Sequence, residues 1–304
     1  MQLHPLKMLK KVLSLPGVVL LYLLSLLPFW LLYRISDVLY LILYYIVGYR
    51  KKVVAENLRT SFPEKSSEEL KSIEKKYFRY LADVIVETVK LFTISEKEVM
   101  ERMQCTNFEL IKGYFAEGKS VIGALGHYGN WELAGHCLSL LTQAERRVIV
   151  YKPLNNPIFE NAFKRMRTRF GATVVAMQNT MRALVSYKNQ PSITVLVSDQ
   201  TPARNEINYF TQFLNHATPV FLGVEKLSKL LNDAVVFCDI RRIKRGYYKV
   251  TFVPLFADAK DTAEHEITHA HVQYLENVIK QDPAYWLWSH RRWKFTPENI
   301  NLNG

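Results

Sequence analysis

The sequence predicts an α/β protein: a mixed, largely parallel sheet flanked by helices, with an N-terminal transmembrane or interfacial helical anchor. Three observations carry this. From about residue 108 onward, short β-rich apolar runs alternate with stretches of helical periodicity, the pattern of strand–helix–strand units. Polar residues suited to chemistry, His127, Lys152 and Asp199, fall where apolar runs end, which is where ligand sites gather in such sheets. Ahead of all this lies an uncharged run, residues 12–33, longer than the roughly 20 residues a helix needs to cross a bilayer.

Lys7, Lys10 and Lys11 precede that run and Arg34 follows it; a shorter apolar stretch, 38–49, ends in Arg50, Lys51 and Lys52. Trp30, Tyr33, Tyr40, Tyr44 and Tyr45 suit an interfacial aromatic belt. A cleaved signal peptide fits less well, because the apolar core is over-long, contains Pro16 and Pro28, and lacks a small-x-small site. A buried hairpin of a soluble protein is the other alternative. The organisation expected is an anchor over 1–49 and an α/β domain over 50–304, entered through a helical lead-in at 50–107.

Within the lead-in, 50–61 reads as a short amphipathic helix. Ser66 and Ser67 followed by Glu68 and Glu69 signal the start of a long helix through Leu70, Ile73, Tyr77, Leu81, Val84, Ile85 and Val89. Strands are expected at 121–125, 148–151, 173–175, 193–197, 235–240 and 248–253. Helices are expected at 130–141, 157–170, 179–188, 219–231 and 262–280. No repeat, low-complexity segment or Gly-rich phosphate loop is seen.

The chain has 304 residues and a net charge of +12, a balance that favours an anionic partner such as an anionic membrane surface, an acidic protein or nucleic acid. Cys105, Cys137 and Cys238 form neither a pairing nor a metal spacing, and read as reduced residues of a chain facing a reducing compartment.

Gly126, His127, Tyr128, Gly129, Asn130, Trp131 and Glu132 form the most informative stretch. It hands a buried strand over to a helix whose apolar positions are Leu133, Ala134, Cys137, Leu138 and Leu141. A histidine needs a partner to set its tautomer and stabilise its charged form before it can act as a base. Glu132, in the first helical turn, is the partner expected here. Asp199 and Gln200 follow the run 193–197, so Asp199 either bonds turn amides or joins the site if its strand neighbours that of His127. In the helix after Pro157, Arg167 and Arg169 are two apart, so one should face the sheet edge and hold a phosphate or carboxylate. His265, Glu266 and His269 match H-E-x-x-H, yet both histidines lie off the apolar stripe of their helix and no third ligand follows, so no metal is expected. The run 286–294 interleaves Trp286, Trp288 and Trp293 with His290, Arg291, Arg292 and Lys294, a composition suited to a lipid headgroup layer rather than to nucleic acid.

These stretches, in order, resemble the bacterial lipid A late acyltransferases, the lauroyl and myristoyl transferases, over nearly the whole length. The resemblance runs through Arg50, Asn57, Leu58, Phe62, Pro63 and Glu64; His127 and Glu132; Tyr151, Lys152, Pro153, Asn156 and Pro157; Arg167, Thr168 and Arg169; Asp199 and Gln200; Phe213, Ala217 and Thr218; and the Trp286 cluster. It implies transfer of a fatty acyl chain from an acyl-carrier-protein thioester to a hydroxyl of a lipid A precursor or related glycolipid, at the cytoplasmic side of the inner membrane, without cofactor or metal. By the family pattern His127 and Glu132 form the catalytic dyad, joined by Arg167 and Asp199. Gly126, Gly129, Asn130, Lys152, Arg169, Gln200, His290, Arg291 and Arg292 are the expected substrate-binding set, with the two glycines opening backbone amides to the oxyanion. The chain departs from the pattern at Lys152, often Arg, and at Phe213, Leu214 and Asn215, where the family has two Phe and a Gly; this leaves acceptor and acyl length open. The basic clusters at Arg146 and Arg147, at Arg241, Arg242, Lys244 and Arg245, and at Arg291, Arg292 and Lys294 are expected to form the docking field for an acidic carrier.

Overall fold

Among the described residues seven strands form one sheet and two form a hairpin beside it. In chain order they are β1 (Met103–Thr106), β2 (Val121–Leu125), β3 (Arg146–Tyr151), β4 (Thr173–Ala176), β5 (Ser192–Val197), β6 (Phe210–Phe213), β7 (His216–Pro219), β8 (Ala234–Lys244) and β9 (Tyr247–Phe256). The sheet order is β1-β9-β8-β2-β5-β3-β4, with every neighbouring pair parallel except β8 and β9, while β6 and β7 pair with each other. The helices are α1 (Pro5–Ser25), α2 (Phe29–Leu41), α3 (Lys51–Ser61), α4 (Ser67–Lys90), α5 (Glu96–Arg102), α6 (Phe108–Ala116), α7 (Trp131–Leu141), α8 (Pro157–Thr168), α9 (Thr180–Tyr187), α10 (Gly223–Leu231) and α11 (Glu266–Gln281). This computed structural model describes residues 5–142, 146–187 and 190–300, with side chains from Ser14 onward. Lys7, Lys10 and Lys11 lie outside the described side chains, as does Lys188, the expected end of α9.

The parallel arrangement follows from apolarity on both strand faces. β2 is buried at all five positions. Its Ile122 and Ala124 enter a core shared with Val224 and Leu227 of α10 and Ile267 and Leu275 of α11. Its Val121 and Leu125 enter a second core with Leu133 and Cys137 of α7 and Met166 of α8. Six of the strands arise at the expected places; β1 and the β6–β7 hairpin do not, nor do helices α5 and α6. The four-residue strands are too short for a period-2 signal to stand out.

The expected single helix over 12–33 is not formed. The chain turns at residues 26–28, where Pro28 is extended (φ −67°, ψ 152°) and opens α2; proline favours a helix start and biases the residue before it out of the helical region. Among the described residues, the helix long and apolar enough to cross a membrane is Phe29–Ile46, which is α2 continued by a π-helical turn, Ile42–Ile46. One face of α2 is tied to the body of the protein. Ser36 Oγ donates to Asp83 Oδ1 at 2.7 Å, Tyr33 Oη donates to Glu87 Oε1 at 3.0 Å, and Asp37 pairs with Arg245 at 2.7 Å. Elsewhere α2 leaves Trp30, Val38 and Leu41 exposed, next to exposed Leu23 of α1, Leu26 of the turn and Ile46 of the π-helical turn. Tyr40 and Tyr44, expected in an interfacial belt, are instead buried and stacked 5.7 Å apart beside α4.

α4 starts as expected. Ser66 and Glu69 complete a reciprocal capping box. Farther along, Glu87 of α4 is buried and receives the phenol of Tyr33 at 3.0 Å, the phenol of Tyr248 at 2.8 Å and the amide of Asn130 at 2.7 Å. Burial pushes its carboxyl up to about 7 against those three donors. Asn130 in turn accepts from the Leu133 N–H at 2.9 Å and so caps α7. Asn130→Ala removes both bonds, and its expected cost is about 1–3 kcal/mol. A fall in melting temperature in detergent checks this, with an unchanged melt contradicting the cap.

Candidate active site

The site grows out of one register. β2 and β5 are adjacent and parallel with Leu125 opposite Val197, and the Ser198 N–H donates to the Leu125 carbonyl at 3.1 Å. The residues that follow, Gly126 and His127 on one side and Asp199 on the other, therefore emerge together at the carboxyl ends of the central strands. Gly126 is required there, since a Cβ would lie 2.9 Å from Asp199 Oδ2 and 2.6 Å from Leu275 Cδ2. Gly129 holds the turn with φ +60°, and a Cβ there would meet Ile240 Cγ2 at 2.7 Å.

Asp199 is buried against His127. Its Oδ1 lies 2.5 Å from His127 Nδ1, while Oδ2 accepts the His127 backbone N–H at 2.7 Å and the Trp286 indole N–H at 2.7 Å. Burial alone would raise this carboxyl, but the imidazole and these donors override it and hold it down to about 2. Being ionised, Asp199 can only accept, so Nδ1 carries the proton and Nε2 presents its lone pair. Gln200 Nε2 sits 3.2 Å from that nitrogen.

Glu132 does not orient His127. It takes Arg167 in a two-pronged pair, Arg167 Nε donating to Oε2 at 3.0 Å and Nη2 to Oε1. The helical turn carries Glu132 away from Nδ1 and toward α8, where Arg167 is the residue of the 167/169 pair that faces the sheet edge. Burial works against the charge on Glu132, yet the Arg167 guanidinium holds the carboxyl below its ordinary value. Asp199 is the carboxylate that acts on His127.

A cavity of about 690 Å³ is lined by His127, Glu132, Arg167, Lys152 and Gln200 together with Trp131, Leu196, Val224 and Leu227, and its lining is mainly apolar. The remaining expected binding residues sit elsewhere. The Gly129 N–H donates to the Tyr285 carbonyl at 3.1 Å, so it is spent and cannot receive an oxyanion. Asn130 is a buried helix cap. Arg169 turns away and donates to the Leu91 carbonyl at 2.7 Å. His290, Arg291 and Arg292 do not line the cavity. Burial, with Arg292 beside it, pushes His290 down to about 4, and its neutral Nε2 accepts the Thr201 N–H at 3.1 Å. Arg292 is buried and Arg291 exposed.

Trp286 and Trp288, expected at a headgroup layer, are 2% and 0% exposed. Of the expected docking field, one cluster is largely neutralised: Arg241 pairs with Asp239 at 2.6 Å, Arg242 with Asp83 at 3.2 Å, and Arg245 with Asp83 at 2.6 Å. Of the H-E-x-x-H residues, His265 stacks on Tyr209 at 3.7 Å, and His269 Nε2 lies 2.5 Å from Tyr209 Oη. Among the described residues no group of three potential ligands could hold a metal ion. What sequence reasoning missed is Trp286 as a partner of Asp199; the density of aromatics near the C-terminus was the available signal, but it points equally to a core.

A paired imidazole and carboxylate at the strand ends of an α/β sheet, opening on an apolar-walled cavity, suits proton transfer to or from a substrate with a long apolar part. Comparison with known proteins gives the family. The sequence profile of the bacterial lipid A biosynthesis acyltransferases matches residues 3–295. The chain is 23% identical to the lipid A biosynthesis palmitoleoyltransferase of Escherichia coli (strain K12), over 82% of this chain and 80% of that one. It is 21% identical to the lipid A biosynthesis lauroyltransferase of the same organism, over 93% and 92%. A lipid A biosynthesis acyltransferase of Haemophilus influenzae is 22% identical over 90% and 84%. The chain belongs to the bacterial lipid A biosynthesis acyltransferase family.

Because the folded-state value of Asp199 is depressed, its contribution to stability is full above the unfolded value near 3.8 and is lost as pH falls through about 2. The interval corresponds to about 2 kcal/mol. Asp199→Asn is expected to flatten the pH dependence of the melting temperature between about 4 and 2. An identical acid limb in the variant contradicts the buried pairing.

Proposed function

We propose that the chain transfers a fatty acyl group from an acyl-carrier-protein thioester to a hydroxyl of a lipid A precursor at the cytoplasmic face of the inner membrane, with His127 as the general base. The observation that carries this reading is the His127–Asp199 pair, with His127 lining the cavity and its Nε2 lone pair met by the Gln200 amide. A thioester is already activated, so a base and an oxyanion donor suffice and no covalent enzyme intermediate is required. The acceptor hydroxyl takes the place of the Gln200 amide at Nε2 and gives up its proton there as its oxygen bonds the thioester carbon. The tetrahedral intermediate collapses by breaking the carbon–sulfur bond, and the proton passes from Nε2 to the departing sulfur, leaving an ester and a free thiol. The Gln200 amide, released from Nε2, is the donor assigned here to the developing oxyanion. Glu132 fixes the guanidinium of Arg167, and Arg167, with Lys152 on the same cavity wall, holds an anionic group of the lipid or of the donor arm.

Membrane placement is supported by family membership and by the exposed apolar side of the α1–α2 pair, and the cytoplasmic side by three unpaired cysteines.

His127→Ala is expected to lower transfer by about 10²–10⁴-fold in protein that still folds, measured with purified protein, carrier-bound donors and lipid acceptors by mass spectrometry. Near-native turnover would reject the base assignment. Arg167→Lys keeps the charge but not the planar fork, so it should remain impaired, with the loss in KM for the anionic substrate. Native KM in this variant would remove the two-pronged role.

A further inference from the structure

Trp286 lies 87 residues beyond Asp199, yet its indole N–H reaches Asp199 Oδ2 at 2.7 Å. That oxygen also accepts the His127 backbone N–H at 2.7 Å. Two donors converging on Oδ2 fix the rotation of the carboxylate and leave Oδ1 facing Nδ1. The indole is itself immobilised, set edge-on against Trp288 with centroids 4.7 Å apart and against Phe213 at 5.7 Å.

The backbone around Trp286 grips the same loop. The Leu287 N–H donates to the His127 carbonyl at 3.1 Å, the Tyr285 carbonyl accepts the Gly129 N–H at 3.1 Å, and Tyr128 bridges Trp286. The strap also holds the opposite loop, through the Thr201 N–H on His290 Nε2 and Thr201 Oγ1 on the Arg292 carbonyl at 2.7 Å. On its far side it is pinned by Asn57, whose amide reaches the Trp288 and His290 carbonyls at 2.8 and 3.0 Å, and by Arg50, which reaches the Ser289 carbonyl at 2.9 Å.

We propose that Trp286 is a positioning residue of the site, its indole N–H locking the Asp199 carboxylate in the orientation that holds His127 for proton transfer. This rests on the reading of His127 as the base. Trp286 touches no substrate; it acts through Asp199.

The test is a double-mutant cycle on the full-length chain in detergent, scored by steady-state transfer. Trp286→Phe keeps an aromatic ring in the slot and removes the donor. It is expected to lower kcat by about 10- to 100-fold, the worth of one hydrogen bond to a charged group, with KM within about twofold. In an Asp199→Asn background, which is slow but measurable, the same substitution should cost almost nothing further, because the group it acts through has lost its charge. A kcat unaffected by Trp286→Phe, a loss confined to KM, or an undiminished loss in the Asp199→Asn background would each overturn the proposal. Trp286→Met, which fills the slot without a donor, repeats the test if the Phe variant does not fold; failure of both to fold would assign the indole to the scaffold and also overturn it. A fully active His127→Ala would instead defeat the base reading itself, independently of any result at Trp286.

Discussion

The buried carboxylate of Asp199 is the constraint on which the site depends. It takes a ring nitrogen, a backbone amide and an indole, three partners from two distant parts of the chain, and each is placed by a different feature of the fold. The parallel register of β2 and β5 brings Asp199 beside His127. Gly126 makes room for it. The C-terminal strap closes over it. An ionised carboxylate in such a place would be costly without these partners; with them it sets the tautomer of His127 and leaves Nε2 as the basic atom at the cavity wall.

A second ion pair divides the labour. Glu132 and Arg167 face each other across the α7–α8 interface, half-buried and lining the same cavity, and the guanidinium is held by both prongs. Two carboxylates near one histidine could have competed for its proton. Their separation, one fixed on the imidazole and one on a guanidinium, gives each a single task. The mainly apolar lining between them and α10 suits a long hydrocarbon chain, and the exposed apolar residues of α1 and α2 give the chain a surface of the kind lipid covers.

Much of this was legible in the residues. The strand–turn–helix around His127, the apolar runs of the central strands and the Ser66 cap follow from periodicity and turn chemistry, as does an inward-facing arginine at 167 or 169, which the family pattern narrowed to Arg167. The partner of His127 did not follow, because Glu132 is close in sequence while Asp199 is close only in the sheet; strand order is a non-local property that periodicity does not carry. The same holds for Trp286 and Trp288, whose composition fits a lipid interface as well as a core, and for Arg241, Arg242 and Arg245, whose acids Asp83, Asp37 and Asp239 mostly lie far away in the chain. The uncharged run 12–33 concealed a turn that Pro28 was able to announce but that the length criterion ignored.

The most direct test of the central claim compares two cycles of steady-state acyl transfer, His127→Ala combined with Asp199→Asn and His127→Ala combined with Glu132→Gln. If Asp199 works through the imidazole, its substitution costs nothing more once His127 is gone, whereas the Glu132→Gln loss persists because it works through Arg167. The reverse pattern, with Glu132 silent and Asp199 still costly in the His127→Ala background, would contradict the account.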